Sequence, residues 1–448
     1  MNLLIKIKPK DPQFQHFLGI CQRHAGNLDS AWASLQTALA LTTADAPALP
    51  GLWLDAGLLA RESGRWDAAL ELLGNASMAG GRVGHDAAIE QGRLLMGLGR
   101  RREASACLED LLARAGQNPA GNLAEPAILL ALMALTDGDL PRGWRLYAQR
   151  FRAPPSMLTL VRHDFGLPMA QDIAGAAGKI WVWPEQGIGD EILFASVLDD
   201  AIKAGWRIKL GCYRRNLSLF RRSFPALDIV ALEGLQPAAI QGECSHQMPL
   251  ADLVARLRPD LAAFGVPHAY LRPDPTAVAA IRARYDAAWP GKQRIGLSWR
   301  SAQAAPKHKK AVDLAALARA AATPDRILID LQYGDTGAER AALLRDHGLT
   351  LYRDPTIDPL GETDPVAAQM AALDAVVTIS NTAAHVAGAI GAPGLVLLPA
   401  DDGLLWYWFQ QGDTPRWYPR LRLLRQPQPG DWASVLADLP AQLRRITA

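Results

Sequence analysis

Small and apolar residues recur in a fixed pattern through the first third of the chain. Three segments share one arrangement: a glycine, a second glycine seven residues later, an alanine after five more residues, and an apolar residue four beyond that. Small residues at these positions let two antiparallel helices approach closely, and the second glycine turns the chain between them. The matching positions are Gly19, Gly26, Ala31 and Leu35; Gly57, Gly64, Ala69 and Leu73; and Gly92, Gly99, Ala104 and Leu108.

The spacing of these segments indicates a structural repeat. Gly57 follows Gly19 by 38 residues and Gly92 follows Gly57 by 35, close to the tetratricopeptide period of about 34 residues. A fourth, weaker unit has Gly138 in the turn and Gly143 at the alanine position. The pattern resembles tetratricopeptide repeats and predicts an array of helical hairpins over residues 1–150, with an ordinary helical bundle as the alternative.

The character of the sequence changes at about Pro154. A stretch rich in proline, glycine and small residues lacks a clean period, which predicts a connector over residues 151–178. Beyond it, short apolar runs alternate with helical segments, as in parallel, doubly wound sheets. We therefore predict one α/β domain over residues 179–290 and another over 291–448, with ligands bound across the carboxyl ends of both sheets.

Composition narrows the class of protein. With 448 residues and 49% apolar content, the chain can build two or three domains. Its net charge of +2 argues against nucleic acid or an anionic membrane surface as the main partner. The four cysteines lack CxxC spacing, so we expect buried, reduced thiols with neither zinc nor disulfides. Because no stretch has the length of a membrane span or of a signal segment, we expect a cytoplasmic protein.

A series of short motifs carries a more specific resemblance. In chain order the motifs are EQGIGD (185–190), MPLADL (248–253), GLSWR (296–300), LQYGD (331–335), ISNTAAHVAGAIGAP (379–393), RWYPRLRLLRQ (416–426) and GDW (430–432). The series resembles the tetratricopeptide-fused GT-B glycosyltransferases, which are related to heptosyltransferases and more distantly to protein O-GlcNAc transferases. The resemblance implies an α plus α/β fold, with repeats followed by a GT-B pair of Rossmann-like domains. It also implies sugar transfer from a nucleotide-sugar donor, without a metal or a cofactor.

The same resemblance suggests an acceptor. Some proteins of this arrangement glycosylate flagellin in the bacterial cytoplasm with nonulosonic, sialic-like sugars. A Ser or Thr hydroxyl of a protein docked on the repeats is therefore the expected acceptor. Two other classes of function remain open: a transferase for a glycan or lipid-linked sugar, with repeats that serve only assembly, and a non-catalytic scaffold with a degenerate transferase domain.

Gly189 and Asp190 lie at the turn between the first predicted strand and the helix after it. In heptosyltransferase-like enzymes, a Gly-Asp pair at this turn carries the carboxylate proposed to take the acceptor proton. A hydroxyl is a poor nucleophile, so a carboxylate within hydrogen-bonding reach must accept its proton. We expect Gly187 and Gly189 to leave room for the acceptor, with a helix cap as the alternative role of Asp190. Asp252 is expected either on the acceptor side or as another cap.

The donor is expected to bind the second α/β domain. The segment ISNTAAHVAGAIG joins a predicted strand to a helix of small residues, whose N-terminus can offer amides to a phosphate. Arg300 and the basic loop 306–310 would neutralise the leaving phosphate, and Gln332 with Tyr333 would hold the nucleobase. The donor-binding candidates are Arg300, Lys309, Gln332, Tyr333, Ser380, Asn381, Thr382 and His385.

Alternatives remain for several of these residues. Related enzymes often have Asp-Thr where this chain has Ser380-Asn381, so a role assigned to that Asp does not carry over. Ser380 or Asn381 can instead cap the helix, and His385 can be a buried imidazole with satisfied hydrogen bonds. An aromatic cluster near the C-terminus is predicted to pack in the interior, with a stacking wall for sugar or base as the alternative. Its members are Trp406, Trp408, Trp417 and Tyr418.

Overall fold

The chain divides into a helical unit and a unit that contains two sheets. The computed structural model describes residues 10–115, 123–152, 160–163, 165–170, 178–301, 311–400 and 403–447. The first compact unit comprises Met1–Ala134 with Arg145–Leu158, and the second comprises Leu135–Trp144 with Thr159–Ala448. The dividing line falls within the fourth helical hairpin.

The repeats consist, in the described residues, of eight helices in four hairpins. The glycine in each first helix lies against a leucine of the second helix: a Cβ at Gly19 would be 2.6 Å from Leu35, and one at Gly57 would be 2.8 Å from Leu73. The turn glycine Gly26 has φ +80°, which glycine adopts without strain. The helices are α1 (Pro12–His24), α2 (Leu28–Leu41), α3 (Leu49–Glu62), α4 (Trp66–Ser77), α5 (Gly81–Gly97), α6 (Arg101–Ala115), α7 (Ala124–Asp137) and α8 (Leu140–Tyr147). The predicted hairpin array is confirmed.

Ion pairs connect the first helices of successive hairpins. Each pair joins an arginine of one hairpin to a glutamate of the next. The pairs are Arg23–Glu62, Arg61–Glu90 and Arg93–Glu125. Partly exposed pairs contribute only about 0–1 kcal/mol each, but together they favour one register between neighbouring hairpins.

The first sheet has four parallel strands in the order β3-β2-β1-β4. Because β1 lies between β2 and β4, the loops after these three strands meet at one edge. The strands are β1 (Lys179–Trp183), β2 (Ile208–Cys212), β3 (Asp228–Ala231) and β4 (Cys244–Pro249). The helices of this half are α9 (Ile188–Phe194), α10 (Leu198–Lys203), α11 (Leu217–Ser223), α12 (Pro237–Gln241) and α13 (Leu250–Leu257).

The second sheet has six parallel strands in the order β10-β9-β8-β5-β6-β7. They are β5 (Gln293–Ser298), β6 (Arg326–Asp330), β7 (Leu351–Tyr352), β8 (Ala375–Ile379), β9 (Gly394–Leu398) and β10 (Leu421–Arg425). The helices are α14 (Pro275–Ala288), α15 (Leu314–Ala321), α16 (Gly337–His347), α17 (Thr363–Ala371), α18 (Thr382–Ala389) and α19 (Trp432–Thr447). The side chains of Asp274 and Asp313 cap α14 and α15 by accepting backbone N–H groups. Buried residues of β5, β8 and β9 pack against α15 and α19.

These elements confirm the predicted fold class, in which helical repeats precede two parallel α/β halves, the order expected of a tetratricopeptide-fused GT-B protein. None of the described helices is both long and apolar enough to cross a membrane.

All four thiols are free. Burial was predicted for all of them but holds only for Cys212 and Cys244, because Cys21 and Cys107 lie on partly exposed helix faces of the repeats.

Trp144 of α8 provides a test of how the second unit is held together. Its indole N–H donates to the carbonyl of Arg258 at 2.8 Å, and its ring meets Trp406 edge-on, with centroids 5.2 Å apart. Trp144→Ala should destabilise this unit by about 3–5 kcal/mol. Hydrogen exchange measured by mass spectrometry should then show faster exchange around residues 258 and 406.

The matched control is Trp66→Ala, because Trp66 is 46% exposed on the repeats. This variant should leave exchange in the second unit unchanged. If Trp144→Ala also left it unchanged, the contacts of Trp144 with Arg258 and Trp406 would not help to hold the second unit together.

Candidate active site

The turns after β1 and β8 bring helices α9 and α18 into direct contact. A Cβ at Gly189 would lie 3.0 Å from Cδ2 of His385 and 3.6 Å from Oγ1 of Thr382. Asp190, the next residue of α9, is half-buried. The structure thus brings the Gly-Asp turn and the start of α18 together, although they lie in different halves of the second unit.

The negative charge of the Asp190 carboxylate acts on three tyrosine hydroxyls. Burial raises the pKa of Tyr213 to about 12 and raises the pKa of Tyr407 and of Tyr418 well above the ordinary value, and the negative charge of Asp190 adds to each rise. The sequence analysis did not select Tyr213 or Tyr407. The aromatic cluster at 406–418 was a signal for Tyr407, whereas no motif marked Tyr213.

The two glycines before Asp190 have different surroundings. Gly187 is exposed and has φ −71°, and a Cβ there would meet only Oδ2 of Asp190, at 3.7 Å. The backbone at Gly187 is therefore open, and its role on the acceptor side remains a prediction. At Gly189 that expectation needs correction, because His385 already occupies the space beside its backbone.

Glu191 lies in a buried polar network. It accepts hydrogen bonds from the backbone N–H of Tyr213 and the side-chain amide of Asn216, and burial raises its pKa to about 8. Asn216 in turn accepts from the hydroxyl of Thr363 at the start of α17. This network connects α9 to the second half at another point.

Gln332 and Asn381 fasten the ends of neighbouring strands. Gln332 is fully buried, and its side-chain oxygen accepts from the N–H groups of Trp299 and Arg300, both at 3.0 Å. Asn381 caps α18 by accepting from the N–H of Ala383 at 3.0 Å. The capping alternative for Asn381 is therefore what the structure shows. A nucleobase contact through the Gln332 side chain has no support in this geometry.

His385 lies in an aromatic box rather than on an open surface. It is 2% exposed, with Nδ1 2.7 Å from the Tyr418 hydroxyl and Nε2 3.2 Å from the Tyr407 hydroxyl. Its ring stacks on Trp408, and burial lowers its pKa to about 3. A neutral imidazole with both nitrogens engaged has no hydrogen bond left for a phosphate. The phosphate contact predicted for His385 thus does not fit this geometry, and the alternative of a satisfied imidazole does.

The aromatic cluster packs in the interior, as predicted. Trp406, Trp408, Trp417 and Tyr418 are each at most 6% exposed. The indole N–H of Trp408 donates to the hydroxyl oxygen of Ser380 at 2.7 Å, so Ser380 is engaged from within the protein.

Arg300 and Tyr333 are half-buried at the ends of β5 and β6. The guanidinium of Arg300 forms an ion pair with Glu339 at 2.9 Å and donates to the carbonyl of Asp335 at 2.8 Å. The hydrogen bond with Glu339 raises the pKa of Arg300. A donor phosphate would therefore have to compete with Glu339 for this guanidinium. Lys309 lies outside the described residues.

Thr382 and Asp252 are half-buried in the first turns of α18 and α13. Because β4 lies beside β1, Asp252 is at the same sheet edge as Asp190. The acceptor and donor roles of these residues remain predictions.

In the parts of the chain that the structure describes, no group of three His, Cys, Asp or Glu residues could hold a metal ion. Metal-independent chemistry also remains a prediction.

Comparison with known proteins adds one relative by sequence. No family model matches the chain. The chain is similar to Protein FlbA of Caulobacter vibrioides. The two are 30% identical over 349 residues, which are 72% of this chain and 55% of FlbA. The chain therefore spans about half the length of FlbA.

Solved structures give weaker likenesses than FlbA does. The E. coli ADP-heptose lipopolysaccharide heptosyltransferase II is 14% identical with a TM-score of 0.45, over 60% of this chain and 100% of that one. MamA is 15% identical with a TM-score of 0.28, over 34% of this chain and 82% of that one. Likenesses of this size add nothing to the architecture described above.

The contact between α9 and α18 can be tested at its glycine. In Gly189→Ala the new Cβ would press on His385, whose ring is held at both nitrogens, and such overpacking costs about 1–3 kcal/mol. We expect faster hydrogen exchange in both α9 and α18.

Gly187→Ala is the matched control. Its φ suits alanine and its Cβ would have ordinary contacts, so only an N-cap preference of about 1 kcal/mol or less is lost. Exchange in α18 should not change in this variant. Equal exchange in the two variants would show that Gly189 is not pressed against His385.

Proposed function

We propose that this chain is a glycosyltransferase that moves a sugar from a nucleotide-activated donor to a hydroxyl of a protein acceptor. The observation that supports this most is that Asp190 and Thr382 lie on facing helix starts, one after β1 and the other after β8. Ligands of paired α/β units bind at the carboxyl ends of the strands. A half-buried carboxylate opposite a helix N-terminus suits an acceptor hydroxyl on one side and a phosphate on the other.

The proposed chemical step assigns a role to each side. Asp190 accepts the proton of the acceptor hydroxyl while its oxygen forms a bond to the anomeric carbon of the sugar. The bond from that carbon to the nucleotide phosphate breaks, and the phosphate leaves with the electron pair. The N-terminus of α18 and the guanidinium of Arg300 stabilise the charge on the phosphate. Holding the two substrates in line supplies much of the remaining rate acceleration.

We propose that the repeats hold the acceptor. Arrays of helical hairpins present an extended surface, and four hairpins can hold a helical segment of a partner protein. The motif resemblance favours a Ser or Thr hydroxyl of flagellin as the acceptor and a nonulosonic acid as the sugar.

The scaffold alternative has one observation in its favour. Gln332, Asn381 and His385, three of the residues predicted to bind the donor, are engaged with other parts of the protein. Release of nucleotide from a donor sugar distinguishes the two proposals, because a scaffold binds without turnover.

Asp190→Asn tests the proposed base. The donor is first identified by thermal shift with UDP-, GDP-, ADP- and CMP-sugars, and nucleotide release is then measured with the acceptor present. The amide keeps the shape of the side chain but cannot take the proton, so turnover should fall by about 100-fold or more, with donor affinity unchanged.

Asp199→Asn is the control, because Asp199 follows on α10 and faces His268 at 3.5 Å. It should retain wild-type turnover. Turnover of Asp190→Asn within a few-fold of wild type would reduce Asp190 to a helix cap, and absence of nucleotide release in the wild-type protein would favour the scaffold.

A further inference from the structure

The first turn of α9 has little of its own to hold it in place. The helix is only seven residues long, and its N-cap, Gly187, has no side chain to cap it. Helices this short are not stable by themselves in water, and Gly187 and Gly189 give the unfolded turn extra freedom that folding must remove. The place of Asp190 is therefore set by contacts from other parts of the protein.

Tyr213 provides two such contacts, one on each side of Asp190. It directly follows β2, the strand paired with β1, so it lies at the same sheet edge as the turn. Its hydroxyl donates to the carbonyl of Gln186 at 2.8 Å, and its backbone N–H donates to the carboxylate of Glu191 at 3.0 Å. One residue thus holds the turn four positions before Asp190 and one position after it.

The hydroxyl bond of Tyr213 has a fixed direction. A carbonyl only accepts, so the hydroxyl proton points to Gln186. Burial raises the pKa of Tyr213 to about 12, so this proton is present throughout the neutral range. The ring lies edge-on to His163, with centroids 6.3 Å apart. Phenylalanine can keep that ring contact, so Tyr213→Phe removes the hydrogen bond to Gln186 and little else.

Asn216 extends this hold into the second half. Its side chain is fully buried, and its amide N–H donates to the other carboxylate oxygen of Glu191. Its amide oxygen accepts from the hydroxyl of Thr363 at the start of α17. Buried polar groups are costly when unpaired, so Asn216 favours keeping both partners in place. One side chain thereby connects the residue after Asp190 to the second half.

Arg215 makes a further link to the second half. Its guanidinium donates to two backbone carbonyls of the loop before α17, that of Gly361 at 2.6 Å and that of Pro359 at 3.0 Å. A planar guanidinium with two engaged donors fixes the direction of approach, which a lysine ammonium does not. The adjacent Arg214 differs, because it is exposed and its guanidinium donates to the carbonyl of Glu233 in the first half.

We propose that Tyr213, Arg215 and Asn216, which we call the β2 clasp, are positioning residues: they hold residues 186 and 191 on either side of Asp190 and fix this turn against the loop 359–363 of the second half. The catalytic consequence rests on the proposed glycosyltransferase function. The restraint on the turn does not, so it can be tested without a substrate.

Tyr213→Phe tests the hold on the turn. In the full chain, hydrogen exchange over residues 186–194 should become faster by roughly threefold to tenfold, the effect of losing one hydrogen bond. Tyr352→Phe is the matched control, because Tyr352 is also half-buried among aromatic rings but lies on the edge strand β7. The control should leave exchange over 186–194 unchanged. Unchanged exchange in Tyr213→Phe would overturn the proposal.

Arg215→Lys tests whether the β2 clasp joins the turn to the second half. Lysine keeps the charge but cannot engage both carbonyls as the guanidinium does, so exchange over residues 360–364 should become faster. Because Tyr213 and Asn216 belong to the same short segment, exchange over 186–194 should become faster as well. Arg214→Lys is the matched control and should change neither region. A response confined to residues 360–364 would overturn the link between the turn and the second half.

Kinetics separate positioning from the proposed function. Once the donor is known, Tyr213→Phe should lower kcat, expressed per donor-binding molecule, by roughly tenfold with donor KM within about twofold, because misplacement affects the reacting geometry more than binding. Tyr352→Phe should retain wild-type kcat. An unchanged kcat in Tyr213→Phe beside an active wild-type protein would overturn the positioning role. An inactive wild-type protein would overturn the proposed function, while the exchange over 186–194 would still decide the restraint.

Discussion

The contact between Gly189 and His385 is the point on which the arrangement of the candidate site depends. One belongs to the turn after the first strand of one sheet, the other to the helix after a strand of the other sheet, and no side chain separates them. The glycine is needed here for close approach, since its backbone φ is an ordinary helical one. The turn that carries Asp190 lies against the start of α18 because the two helices meet at this distance. Any change that moves either helix also moves the carboxylate relative to that helix start.

Around this contact, the polar residues serve mainly to hold the backbone. Gln332 and Asn381 fix the ends of β5, β6 and β8, while Glu191 and Asn216 tie α9 to α17. Groups that bind substrates need such support, because reacting groups must be held to a fraction of an ångström. The half-buried residues Asp190, Thr382, Arg300 and Tyr333 remain the candidates for ligand contact. Of these, Arg300 is also held, by its ion pair with Glu339.

Much of the fold could be predicted from the sequence because its signals are local and repeated. The glycine and leucine of each hairpin lie 16 residues apart and touch directly, as in Gly19 with Leu35, so the pattern itself encodes the packing. The candidate site was predicted less well. Gly189, Asp190 and the segment 380–385 were selected, but a polar residue at a strand end looks the same in sequence whether it binds a ligand or fastens a loop. Burial decides between these roles for Gln332 and His385, and burial depends on residues distant in sequence, such as Tyr407 and Tyr418.

The central claim is that donor phosphate and acceptor base face each other across the contact of α9 and α18. The most direct measurement is a crystal structure of the chain with its nucleotide-sugar donor bound. Our account predicts that a phosphate oxygen lies within about 3–3.5 Å of the first turn of α18 near Thr382, with the anomeric carbon of the sugar facing Asp190. A donor bound away from α18, or a sugar directed away from Asp190, would contradict it.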